Sequence, residues 1–104
     1  MLAYDHIGIP VTEKRPGMIY IPEYKLWCSD YKKSEYCVEW IYFEEDSSLH
    51  SKIQKQAHVC FIVPDIQKAI KGKKLLLSPC LYENEWMAFI EDDEGAVIEF
   101  LQLK

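Results

Sequence analysis

Two histidines and two glutamates interrupt apolar, strand-like segments of this chain, and they do so twice in the same pattern. His6 lies in Tyr4-Asp5-His6-Ile7-Gly8-Ile9-Pro10-Val11, and His58 lies in Ala57-His58-Val59-Cys60-Phe61-Ile62-Val63-Pro64-Asp65. Each histidine is near the start of a β-rich run that a proline ends. Glu39 is central in Cys37–Phe43, and Glu99 in Ala96–Leu101. Because alternate strand residues share a face, His6 sides with Tyr4 and Gly8, and His58 with Cys60 and Ile62. Glu39 likewise sides with Ile41 and Phe43, and Glu99 with Val97 and Leu101. A buried carboxylate without a partner is costly, so two such histidine–glutamate pairs require an explanation. If the two halves pack with internal symmetry, all four side chains converge. Two imidazoles and two carboxylates suit a borderline divalent metal such as Zn²⁺, Ni²⁺, Co²⁺, Mn²⁺ or Fe²⁺. An ion of this kind is a Lewis acid for substrate oxygens and stabilises an enediolate or another oxyanion. Glu39 or Glu99 would then move the proton as general base. Taken singly, a strand histidine is more often a hydrogen-bonded core residue, and a strand glutamate more often an exposed one. Repetition at matched positions is what favours a shared site.

The elements that must position these residues form two similar units. The interval from histidine to glutamate is 33 residues in the first unit and 41 in the second, a difference that one short helix accounts for. The second unit contains such a helix: Asp65 can cap it, Ile66, Ala69 and Ile70 form an apolar stripe, and Gly72 can end it. The matching stretch from Thr12 to Pro22 holds Pro16, Gly17 and Pro22 and resists a helix. Strands are expected at Tyr24–Ser29 and Cys37–Phe43 around a polar turn at Asp30–Glu35. In the second unit they are expected at Leu75–Leu77 or Leu81–Tyr82, at Glu85–Glu91, and after a turn at Asp92–Gly95. Residues 44–57 are read as a polar connection, and 16–22 as a loop beside the first strands that either closes over the site or merely connects. The expected fold is α+β: a single domain over residues 1–104, with two βαβββ-like modules at about 1–46 and 56–104 in a curved sheet. The first module lacks its helix.

Composition excludes other classes. The chain has 104 residues, 49% hydrophobic and 28% charged, which is the balance of a folded domain and not of a disordered one. Its net charge of −5 argues against nucleic acid, since Lys68, Lys71, Lys73 and Lys74 are better read as a solvated helix face. No apolar run approaches the ~20 residues of a membrane span, and the start is neither basic nor apolar, so a cytoplasmic protein is expected. Cys28, Cys37, Cys60 and Cys80 form no CxxC, which points to reduced, packed thiols without a nucleophilic role. Trp27, Trp40 and Trp86 with Tyr20, Tyr24 and Tyr42 are candidates for a pocket lining, with core or interface packing the commoner role. His50 is read as a surface residue, and Lys25 as a weak candidate for contacting an anionic substrate.

Asp5-His6-Ile7-Gly8-Ile9, Glu39 in the strand closing the first unit, Ala57-His58-Val59 and Ile98-Glu99-Phe100 resemble the vicinal oxygen chelate superfamily over nearly the whole chain. This is the group of glyoxalase I, methylmalonyl-CoA epimerase, fosfomycin-resistance proteins and extradiol dioxygenases. The resemblance implies a divalent metal held by His6, Glu39, His58 and Glu99, as in glyoxalase I. A dioxygenase-like triad would be His6, His58 and Glu99. It also implies a homodimer and a small-molecule substrate. With Arg15 the only arginine, glutathione recognition of the glyoxalase I kind is disfavoured, and the missing helix leaves part of the pocket wall absent. The leading expectation is a small metal-dependent lyase or isomerase acting on a carbonyl or hydroxy-acid substrate. The alternatives are a non-enzymatic ligand-binding protein of the same fold and an Fe²⁺ dioxygenase using the triad.

Overall fold

The computed structural model describes residues 2–103. Eight strands alternate with two five-residue helices: β1 (Ala3–Pro10), β2 (Ile19–Ile21), β3 (Leu26–Cys28), β4 (Val38–Phe43), α1 (Ser51–Lys55), β5 (His58–Ile62), α2 (Ile66–Ile70), β6 (Lys74–Tyr82), β7 (Glu85–Glu91) and β8 (Val97–Leu103). A 3₁₀ turn at Tyr31–Lys33 joins β3 to β4. The strands make one curled mixed sheet in the order β2-β3-β4-β1-β5-β8-β7-β6. Its two halves mirror each other about the antiparallel β1–β5 pair, with β1 beside a parallel β4 and β5 beside a parallel β8. No helix among the described residues is long and apolar enough to cross a membrane.

The concave face buries Leu26, Ile41, Ile53, Met87, Phe89 and Leu101 in one apolar cluster. The outer face of the second half buries Val63, Ile66, Ala88, Ile90 and Phe100, with Trp86 packed against them. Helix α2 covers that outer face. It starts at the expected cap, where Asp65 Oδ1 accepts from the Gln67 and Lys68 amides at 3.0 and 3.3 Å, and Gly72 follows it with φ +74°. Residues 11–18 of the first half form no helix. There Lys14 and Arg15 lie instead over the rings of Trp27 and Trp40, at 4.5 and 4.0 Å.

Three expectations change. Ile19–Ile21 is an edge strand paired with β3, because two β-branched residues flank Tyr20 and find a free strand edge. Lys74–Tyr82 is one strand with register shifts between Leu75 and Cys80, where an edge position tolerates Pro79. The connection between halves is not wholly polar: Leu49 and Ile53 are buried from it, with α1 capped by His50, whose Nδ1 accepts from the Lys52 amide at 3.0 Å. His50 itself is exposed, as are Lys68, Lys71, Lys73 and Lys74.

Candidate metal centre

The register places the four expected residues with twofold regularity. Glu39 pairs with Gly8, two positions after His6, and Glu99 pairs with Cys60, two positions after His58. Across the β1–β5 seam, His6 pairs with Cys60 and Gly8 with His58. The same face of four central strands therefore carries His6, Glu39, His58 and Glu99, and all four come from one chain.

The side chains meet. Glu99 Oε1 lies 3.1 Å from His58 Nε2 and 3.3 Å from His6 Nε2, and Glu39 Oε1 lies 3.6 Å from His6 Nε2. Ligand atoms of His6, Glu39 and His58 fall within 4.8 Å of one another. His6, His58 and Glu99 are buried, whereas the Glu39 side chain keeps 18% of its surface exposed.

The residues that support this cluster are recognisable only from the folded chain. With Nδ1 protonated, His6 donates to Asp5 Oδ2 at 2.8 Å, which leaves Nε2 facing the cluster and fixes the tautomer. Tyr31 stacks on the His6 ring at 4.0 Å between centroids, and Phe89 meets His58 edge-on at 4.9 Å. Gly8 is required for space: a Cβ there would lie 2.5 Å from His58 Nε2 and nearer still to Cε1. Only the Asp5-His6-Ile7-Gly8 string itself hinted at these roles.

Charge in the cluster is divided unevenly. Burial, then the Glu99 charge, pushes the Glu39 carboxyl up to about 7. Burial would also raise Glu99, yet the imidazoles of His58 and His6 hold it down to about 2. Burial would lower His6, but Glu99, Asp5 and Glu39 raise it to about 9. The thiol of Cys60, beside this cluster, is pushed up by burial and then by Glu99, so it is no nucleophile. All four cysteines are free.

The donor set fits a divalent ion. His6 Nε2 and both ring nitrogens of His58 are buried without a hydrogen bond of good geometry among the described residues, Glu99 Oε1 being the near neighbour of the two Nε2 atoms, although buried polar groups are nearly always satisfied. Ligand atoms of His6, Glu39 and His58 lie close together and Glu99 Oε1 is within 3.3 Å of both histidines, a donor set that matches the ligand chemistry of Zn²⁺ and its neighbours. Two carboxylates also neutralise a divalent charge.

The cluster forms part of the wall of a cavity of about 370 Å³, lined elsewhere by apolar residues that include Leu26, Ile41, Leu49, Ile53, Met87 and Phe89. Leu49 and Ile53 come from the connection before and within α1, so the cavity wall extends beyond the sheet. The three tryptophans are not among the lining residues, and of the expected aromatics only Tyr24 is. Strand parity turns the tryptophans outward, opposite Leu26, Ile41 and Met87. Lys25 pairs with Asp46 at 2.5 Å on the surface instead of reaching the cavity.

No family model and no curated protein matches the sequence. Solved structures do. Methylmalonyl-CoA epimerase from Mycobacterium tuberculosis superposes with a TM-score of 0.62 at 16% identity, over 98% of this chain and 88% of that one. A glyoxalase/bleomycin resistance protein/dioxygenase superfamily member from Vibrio splendidus 12B01 gives 0.58 at 10% identity, over 98% and 99%. With sheet order, internal twofold and coverage in agreement, this chain has the fold of the glyoxalase/bleomycin resistance protein/dioxygenase superfamily.

Proposed function

We propose that the chain is a small divalent-metal-dependent enzyme of the lyase or isomerase type, moving a proton within a small carbonyl or hydroxy-acid substrate. The observation that carries this is the set of buried imidazole nitrogens without well-formed hydrogen bonds, beside two carboxylates, in the wall of a cavity with a deep apolar side. His6, Glu39, His58 and Glu99 would hold the ion. When bound, it supplies a Lewis acid for two neighbouring substrate oxygens.

The chain's own residues divide the remaining work. Asp5 and Tyr31 hold His6 with Nε2 toward the cavity. Glu99, buried between both histidines, supplies fixed negative charge. Glu39 is the most open of the four and is placed as general base. Its carboxylate takes the proton from the carbon beside a carbonyl as the C–H electron pair moves to the carbonyl oxygen, then returns it to carbon. Leu26, Ile41 and Phe89 give the reacting carbon an apolar wall. One structural neighbour is named an epimerase, and its shared fold accommodates this class of step.

The test is solvent deuterium uptake into a panel of enolisable 2-oxo and 2-hydroxy carbonyl compounds, followed by NMR with the metal-loaded protein. Uptake that falls at least ~100-fold in Glu39→Gln, measured at metal concentrations that keep the variant loaded, is the expected result. Uptake unchanged in that variant contradicts the assignment. A second reading rests on Glu99 lying closer to both histidines than Glu39 does to His6: His6, His58 and Glu99 as an Fe²⁺ triad. Oxygen consumption by the Fe²⁺-loaded protein without deuterium uptake would select it. Ligand binding with neither activity would leave a non-catalytic binding protein.

A further inference from the structure

The cavity's walls and rim differ sharply in chemistry. Deep in the cavity, Leu49, Ile53, Met87 and Phe89 are each at most 9% exposed and present apolar side chains only. At the rim stand Asp30, Glu83 and Glu85, with Lys32 as the one lysine or arginine among the lining residues. Glu85 is raised by burial first and then by the Asp5 charge, with Lys32 opposing and Glu99 and Glu83 adding to it, which places it inside a negative field.

Several of the cations able to offset this field are engaged elsewhere. Arg15, the chain's single arginine, lies over Trp40. Lys14 lies over Trp27, Lys25 pairs with Asp46, and Lys52 and Lys74 both pair with Glu91. The cavity therefore has no arginine fork of the kind that holds phosphate. A divalent ion would be balanced by Glu39 and Glu99, leaving the rim charge for the ligand to meet.

From this we infer that, of the two substrate classes proposed above, the site takes an uncharged carbonyl compound and not a hydroxy-acid anion, that a short hydrocarbon tail fills the Leu49–Ile53–Met87 wall, and that phosphate-bearing molecules, coenzyme A thioesters among them, are rejected. The inference rests on the cavity being the substrate site. A cavity of about 370 Å³ is near the lower end of small-molecule sites, which suits a tail of a few carbons and no nucleotide.

The test uses metal-free protein, so that ion affinity does not enter. NMR shifts are followed on adding 1-butanol, 1-hexanol, 1-octanol or hexyl phosphate. Affinity should rise about fourfold per methylene until the tail outgrows the cavity, with shifts centred on Leu49, Ile53 and Met87. Hexyl phosphate should bind at least tenfold more weakly than 1-hexanol at low salt, and added salt or the Glu83→Gln/Glu85→Gln variant should narrow the gap. Hexyl phosphate matching or exceeding 1-hexanol overturns the inference, as do 1-hexanol shifts away from that wall. Elemental analysis separates the two claims. Failure to take up metal with the expected probe ranking sinks the metal enzyme alone, and metal uptake with the reversed ranking sinks the selectivity alone.

Discussion

The two halves of the sheet carry the same histidine and glutamate at the same register, yet they hold them differently. In the second half, α2 and the cluster around Phe100 pack the outer face, and Glu99 and His58 are sealed. In the first half no helix covers the sheet, and Glu39 stays partly open. The small residues at the symmetric positions differ too. Gly8 faces His58, whereas the thiol of Cys60 pairs with His6. The difference teaches that a duplicated geometry can divide roles. The sealed half provides a fixed charged floor, and the open half provides the group that a substrate can reach.

That comparison breaks most sharply at Gly8. Gly8→Ala puts a methyl where the His58 ring stands, so Zn²⁺ affinity measured by chelator competition should fall about 100-fold. An unchanged affinity would mean that the ring has room the structure does not show. Asp5→Asn keeps the shape but weakens the acceptor for His6 Nδ1, and affinity should fall about tenfold. The symmetric partner of Gly8 gives the smallest response in this assay. Cys60→Ala should shift affinity less than about twofold and cost about 1 kcal/mol of stability from lost packing. Collapse of metal binding would instead make the thiol a ligand.

Glu39→Gln tests the open half by stability. The neutral form of Glu39 is the one that the metal-free fold favours, because its carboxyl sits at about 7, above its ordinary 4.5. Its favourable contribution is complete below the ordinary value and is lost as pH rises through 7. At pH 8 the ionised carboxylate is a burden. The amide should then stabilise the metal-free protein by about 2 kcal/mol in denaturant melts, after allowance for its partial exposure, and by almost nothing at pH 4. Equal effects at both pH values would contradict this division of charge.

Much of this was legible in the sequence because it rests on short periods. Alternation in β1, β4, β5 and β8 put each histidine and glutamate on a defined face, and Asp65, Ile66 and Gly72 marked α2. What escaped depended on register between segments far apart. Gly8 matters because β5 lies beside it, about 50 residues away in the chain. Tyr31 matters because a 3₁₀ turn carries it over His6. Leu49 and Ile53 read as stray apolar residues in a polar stretch until the cavity gives them a face. The tryptophans invited a pocket role by type, while parity against Leu26, Ile41 and Met87 sends them to the other side.

The most direct measurement is elemental analysis of protein purified without a metal-affinity step and then exposed to Zn²⁺, Ni²⁺, Mn²⁺ or anaerobic Fe²⁺, beside His58→Ala. Close to one divalent ion per chain, lost in the variant, is the predicted result. No ion with any of the four metals would contradict the shared centre and recast His6, Glu39, His58 and Glu99 as a buried polar network.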